Sequence, residues 1–107
     1  MKKINNRLDI NQNNEVINME KWEMYSIIKN NMQLPFDYAI WKCVGACKKE
    51  GNTVTPWNDF SIEHLEKRLQ DEIKEYFESH KSDELLDIIN LASFIWLAYL
   101  NDKAKKY

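Results

Sequence analysis

Apolar residues recur along most of this chain at intervals of three and four, the period of an α-helix. The first such stripe is Trp22, Tyr25, Ile28 and Met32, within residues 20–34. Pro35 follows it. Proline has no N–H and crowds the preceding turn, so a stop or a kink is predicted there. The stripe resumes as Phe36, Ile40, Cys43, Val44 and Cys47, to about Glu50. Lys48 and Lys49 suit the negative end of a helix dipole, and Gly51-Asn52 suits a C-cap. Residues 51–59, with Pro56 and Trp57, read as a connector. Ile62, Leu65, Leu69, Ile73 and Phe77 form the next stripe, to about Ser79, opened by either Ser61 or Asp59 as N-cap. His80-Lys81 is a tight link. Ser82 then predicts the N-cap of a last helix that runs to about Lys103, with Asp83 and Glu84 in its first turn, where the dipole favours anions. The first 18 residues differ. They are rich in Asn, and Leu8-Asp9-Ile10 and Val16-Ile17 flank Asn13-Asn14 as a small β-hairpin or a loose, flexible arm would. The predicted fold is all-α: a bundle of three to four helices with an antiparallel C-terminal helix hairpin, occupying 19–107 behind an arm or small hairpin at 1–18.

Composition narrows the class of protein. A chain of 107 residues is one domain, with 44% hydrophobic and 12% aromatic residues, too apolar to be disordered throughout. Only two Gly and two Pro leave too few turn residues for a β-sandwich or barrel. Fifteen basic against seventeen acidic side chains give a net charge of −2, without the basic footprint of a nucleic-acid binder or of a membrane anchor. No apolar signal-type segment opens the chain, and the most apolar stretch, Leu91 to Leu100, is too short to span a bilayer. A soluble, cytoplasmic protein with neither nucleic-acid nor membrane partners is expected. Cys43 and Cys47 lie one helical turn apart with no second pair at zinc spacing, so they read as small apolar core residues. The last helix carries Ile88, Leu91, Ile95, Trp96, Tyr99 and Leu100, more apolar faces than one small protomer covers. A homo-oligomer is expected, with a two-fold dimer as the default.

The chemistry concentrates between Arg68 and Trp96. Glu72 and Glu75 stand at i, i+3, as do Glu84 and Asp87, and on a helix each such pair shares a face. At ~1.5 Å per residue the first pair lies roughly 10 Å from the hairpin turn and the second roughly 7–8 Å, so the two are level. Glu63 and Glu66 have the same spacing but lie roughly 24 Å from the turn, out of reach. From Ile88 to Leu100 only Asn90 and Ser93 are neither apolar nor aromatic, so this helix is expected to be buried nearly all round, with Asp87 and Asn90 at the start of the buried run. A buried carboxylate needs a partner, and carboxylates cannot satisfy one another. A hard divalent cation resolves the conflict: Mg²⁺, or Mn²⁺ in its place, prefers oxygen ligands and bridges them to phosphates. The plainer reading is that these acids are solvated surface charge and first-turn dipole acids.

At these residues the sequence resembles the MazG-like all-α nucleoside triphosphate pyrophosphohydrolases. That family carries Glu-x-x-Glu on one helix and Glu-x-x-Asp on the next, here Glu72-Ile-Lys-Glu75 and Glu84-Leu-Leu-Asp87. Arg68-Leu69 before the first pair, Asn90-Leu-Ala-Ser-Phe94 after the second, and Gly51 followed by Trp57 upstream also match, over about Lys49 to Trp96. The interval from Glu75 to Glu84 is shorter than the family's usual linker. The resemblance implies hydrolysis of a nucleoside triphosphate to its monophosphate and pyrophosphate. It implies Glu72, Glu75 and Asp87 as metal ligands, and Glu84 as fourth ligand or general base. Asn90 would bond a ligand carboxylate or the sugar, or be a satisfied internal amide. Arg68 and Lys67 are candidate phosphate contacts, although Arg68 also stands one turn before Glu72 and would pair with it. Trp57 would stack on a base or cap the core, the core being favoured. The alternative function is a non-catalytic helical interaction or nucleotide-binding module. His64 is expected on the surface, and His80 in the turn.

Overall fold

The structure, a computed structural model, describes residues 19–101. The arm or hairpin expected at 1–18, and any helix beyond 101, lie outside the described residues. Among the described residues the protein is all-α, as the stripes predict. Among the described residues the elements are α1 (Lys21–Glu50), α2 (Pro56–Asp59), α3 (Ile62–Ser79) and α4 (Ser82–Asn101). None of these helices is long and apolar enough to cross a membrane.

Pro35 neither stops nor splits α1, which runs on through it. One proline deletes one hydrogen bond, to the carbonyl of Asn31, and the turns on either side hold. Contacts nevertheless divide the chain at this point into a unit that ends at Leu34 and one that begins at Pro35. In the first unit Trp22, Tyr25, Ile28 and Met32 are all exposed. Glu23 reaches back to the N–H of Glu20 at 3.0 Å, and the Asn31 amide donates to the carbonyl of Ile27 at 2.7 Å.

The second unit is built around the hairpin of α3 and α4. Gly51 ends α1 in the left-handed region, φ 72°, with its N–H on the carbonyl of Cys47 at 2.9 Å, so the expected C-cap is present. The connector is more ordered than its composition suggests. The hydroxyls of Thr53 and Thr55 both donate to Asp59 Oδ2, and Pro56 opens the single turn of α2. Asp59 is thereby committed to α2, and Ser61 caps α3 by accepting the N–H of His64 at 3.1 Å. His80 ends α3 in the left-handed region, φ 55°. Helix α4 opens one residue earlier than expected, with Ser82 as its first residue rather than its cap. The serine that organises this turn is Ser79. Its hydroxyl accepts the N–H of Lys81 at 3.1 Å and donates to Glu84 Oε1 at 3.0 Å.

The seam between α3 and α4 buries Leu65, Leu91 and Ala98. Trp57, Ile62, Leu69, Phe94 and Ile95 pack against them, and Ala39 of α1 is buried as well. This is a small core for so apolar a chain, and Trp41, Phe77 and Trp96 remain 70, 66 and 61% exposed. The burial expected nearly all round α4 is thus incomplete within one protomer. A cavity of about 400 Å³ lined by Phe36, Ile40, Val54, Trp57, Ile89 and Leu97 marks where α1 packs loosely on the hairpin. Because Leu65 fills the seam, Leu65→Ala is expected to lower the unfolding free energy by about 2–4 kcal/mol in urea denaturation. Ser61→Ala is expected to lower it by about 1 kcal/mol. A loss below that of the cap at Leu65 would show that the seam is not the core.

Candidate functional site

The two-residue link between α3 and α4 sets their acids level. Glu72 carries the consequence. Its side chain is only 13% exposed, and its Oε1 is buried with no hydrogen-bond partner. Burial, and then the negative charges of Asp87, Glu75 and Glu84, push its carboxyl above the usual carboxylate range. Arg68 pulls the other way, but its guanidinium stands 3.9 Å off and is half exposed. The other three acids therefore all act on Glu72 through space. Glu63 and Glu66, one end of α3 away, play no part.

The acids are not equally placed. Glu75 is exposed and forms no ion pair among the described residues, and Glu84 is held by the Ser79 hydroxyl. Asp87 is held by a residue that spacing on the hairpin cannot reveal: Lys42, from α1, lies 2.9 Å from Asp87 Oδ2 and 3.0 Å from Asp83 Oδ2. Burial works against the Lys42 ammonium, but its bonds to Asp87 and Asp83 outweigh this and raise its pKa. No three His, Cys, Asp or Glu side chains among the described residues form a ready ligand set for a metal ion.

Beside Asp87 a cleft of about 190 Å³ opens between α1, α3 and α4. Lys42, Arg68, Asp87 and Asn90 are among its polar groups, with Asn52 and Thr53, and the rings of Phe60 and His64, stacked 4.6 Å apart, line it as well. His64 is exposed as expected, yet it belongs to this wall. Asn90 donates its amide N–H to the carbonyl of Ala39 at 2.8 Å, which ties α4 to α1 and fixes which end of the amide is the acceptor. Trp57 and Lys67 stand elsewhere. Trp57 packs on the core with its ring 5.7 Å from that of Phe94, and Lys67 pairs with Asp71 at 3.1 Å on the exposed face of α3. Cys43 and Cys47 are half-buried between the cleft and the apolar cavity rather than in the core. Burial and the neighbouring Cys47 push the Cys43 thiol up, away from the thiolate a nucleophile needs.

No protein-family model matches the chain, and no solved structure matches it significantly. An uncharacterized protein of Archaeoglobus fulgidus is 40% identical over 55 residues, which cover 45% of this chain and 59% of that protein. The chain thus spans under two thirds of that relative.

The raised pKa of Glu72 has a signed consequence. The folded state binds the Glu72 proton more tightly than the unfolded state. This group therefore favours folding at low pH, and that contribution is lost as pH rises from 4.5, its ordinary value, through its folded value. Without divalent cations, Glu72→Gln is expected to raise the melting temperature at pH 7, and the gain is expected to vanish below about pH 4. A variant less stable than wild type at pH 7 would contradict this.

Proposed function

We propose that the protein is a metal-dependent nucleoside triphosphate pyrophosphohydrolase, cleaving NTP or dNTP between the α and β phosphates to give the monophosphate and pyrophosphate. The observation that carries this reading is Glu72 Oε1, an acceptor out of water, without a donor, among three further carboxylates. A group of this kind is costly unless something cationic satisfies it. The donor set suits Mg²⁺ or Mn²⁺: all oxygen, and anionic. Glu72, Glu75 and Asp87 would hold the ion after side-chain rotations, since they are not preassembled, with Glu84 as fourth ligand or general base. Bound there, a divalent ion would supply Lewis-acid neutralisation of phosphate charge and a water of lowered pKa.

The remaining roles fall to side chains already in place. Arg68 lines the cleft next to the acids and is suited to a phosphate oxygen. As general base, Glu84 would take the proton of the attacking water. Asn90, with its N–H already given to Ala39, has its carbonyl oxygen to offer a hydroxyl or ring N–H of the substrate. The test is pyrophosphate release from a panel of nucleoside triphosphates with Mg²⁺ or Mn²⁺. Glu72→Gln and Glu75→Gln are each expected to cut turnover by about a hundredfold or more. Absence of release across the panel, with no metal-dependent rise in melting temperature, would favour the alternative, a non-catalytic helical module.

The same reading includes self-association. Leu85, Trp96 and Leu100 on α4 and Ile73 and Phe77 on α3 all remain exposed on a hairpin with a small core. A second copy would cover this surface and supply burial that one protomer lacks. Light scattering at micromolar concentration is expected to give a mass at least twice 12.9 kDa, and Trp96→Glu with Phe77→Glu is expected to reduce it. A monomeric wild type would overturn self-association.

A further inference from the structure

We infer that Lys42 is an exchangeable cation of the site: it neutralises Asp87 while no divalent ion is present, and turns to a substrate phosphate once an ion takes Asp87. The inference rests on the metal-dependent reading above. Three observations carry it. Lys42 comes from α1, a different element from the acids, and its ammonium bridges Asp83 and Asp87 at 3.0 and 2.9 Å, the place a cation must occupy. Its side chain is 32% exposed, and it lines the same cleft as Arg68 and Asn90, so it can change partner without leaving the site. Asp83, 69% exposed, is not among the proposed ligands, and it can keep one hold on Lys42 after Asp87 is withdrawn.

The chemistry of exchange follows from charge. Lys42 and a divalent ion compete for Asp87, so each binds at the other's expense. When the ion takes Asp87, the ammonium loses its strongest acceptor inside a cleft that also holds the Arg68 guanidinium. Two cations lining one cleft then form a receptor for a polyanion. A polyphosphate chain fits this receptor, whereas a neutral ligand does not. Lys42 thus serves as a phosphate-positioning residue, and its pairing with Asp87 makes metal and phosphate binding interdependent.

The test measures binding rather than turnover. Mn²⁺ is titrated into wild-type protein, Lys42→Met and Lys42→Arg, followed by the Mn²⁺ electron paramagnetic resonance signal. Inorganic tripolyphosphate is then titrated with Mn²⁺ present. Removing the internal competitor is expected to tighten Mn²⁺ binding about three- to tenfold in Lys42→Met and to weaken tripolyphosphate binding about tenfold. Lys42→Arg, which keeps the cation, is expected to stay near wild type in both. Should Lys42→Met fail to fold, acylation of the wild-type protein followed by mass spectrometry decides the question. Labelling at Lys42, relative to exposed Lys48, is expected to rise with Mn²⁺ and fall again with tripolyphosphate.

Mn²⁺ binding by wild type with unchanged or weaker binding by Lys42→Met, or Lys42 labelling indifferent to Mn²⁺, would overturn the exchange and leave the metal site standing. No Mn²⁺ binding by wild type would overturn both.

Discussion

A carboxylate oxygen without water and without a donor is the constraint on which the rest of this structure depends. Glu72 is carried into the α3/α4 seam by the same helix face that buries Leu65 and Leu69, so the fold cannot form without removing it from solvent. Burial by itself already disfavours its ionised form. Here the charges of Asp87, Glu75 and Glu84 act on it as well, and Arg68 answers only weakly. The hairpin therefore concentrates negative charge at one level of the bundle. That concentration is unfavourable to folding, a local conflict that the rest of the sequence must offset.

Lys42 shows how the protein lives with that conflict. It approaches from α1 and satisfies Asp87, but it does not reach Glu72, whose Oε1 stays unpartnered. The relief is therefore partial. The same contact accounts for how α1 is held to α4. Between them lie the apolar cavity and two polar ties, Lys42 to Asp83 and Asp87, and Asn90 to the carbonyl of Ala39. Attachment through polar groups rather than a dry interface leaves this contact less stable than the α3/α4 seam.

The helices were legible because their stripes are regular and their ends are marked by residues with one strong local preference. Gly51 at positive φ and Ser61 bonding the N–H of His64 are determined within a few residues, and local patterns capture them. Misreadings occurred where a tertiary or second-neighbour partner decided the outcome. Pro35 reads as a break because its own preference is to end helices, yet the turns on both sides carry α1 through it. Asp59 and Ser82 both look like caps, but Thr53 and Thr55 claim the first, and Ser79 organises the turn before the second.

The site divides along the same line. That Glu75, Glu84 and Asp87 lie near enough to act on Glu72 follows from rise per residue and a short link, quantities a sequence contains. Lys42 was invisible, since it lies 45 residues from Asp87 and nothing in its own helix marks it out from Lys48 or Lys49. His64 and Phe60 were passed over for a related reason. Neither is on the apolar stripe of α3, and only the approach of α1 turns that edge into a wall of the cleft. Acids on one hairpin can be read by counting, but the cations and rings that would give them a substrate come from whichever element the fold brings against them. Here α1 supplies the ammonium that neutralises Asp87, from outside the hairpin that carries the acid.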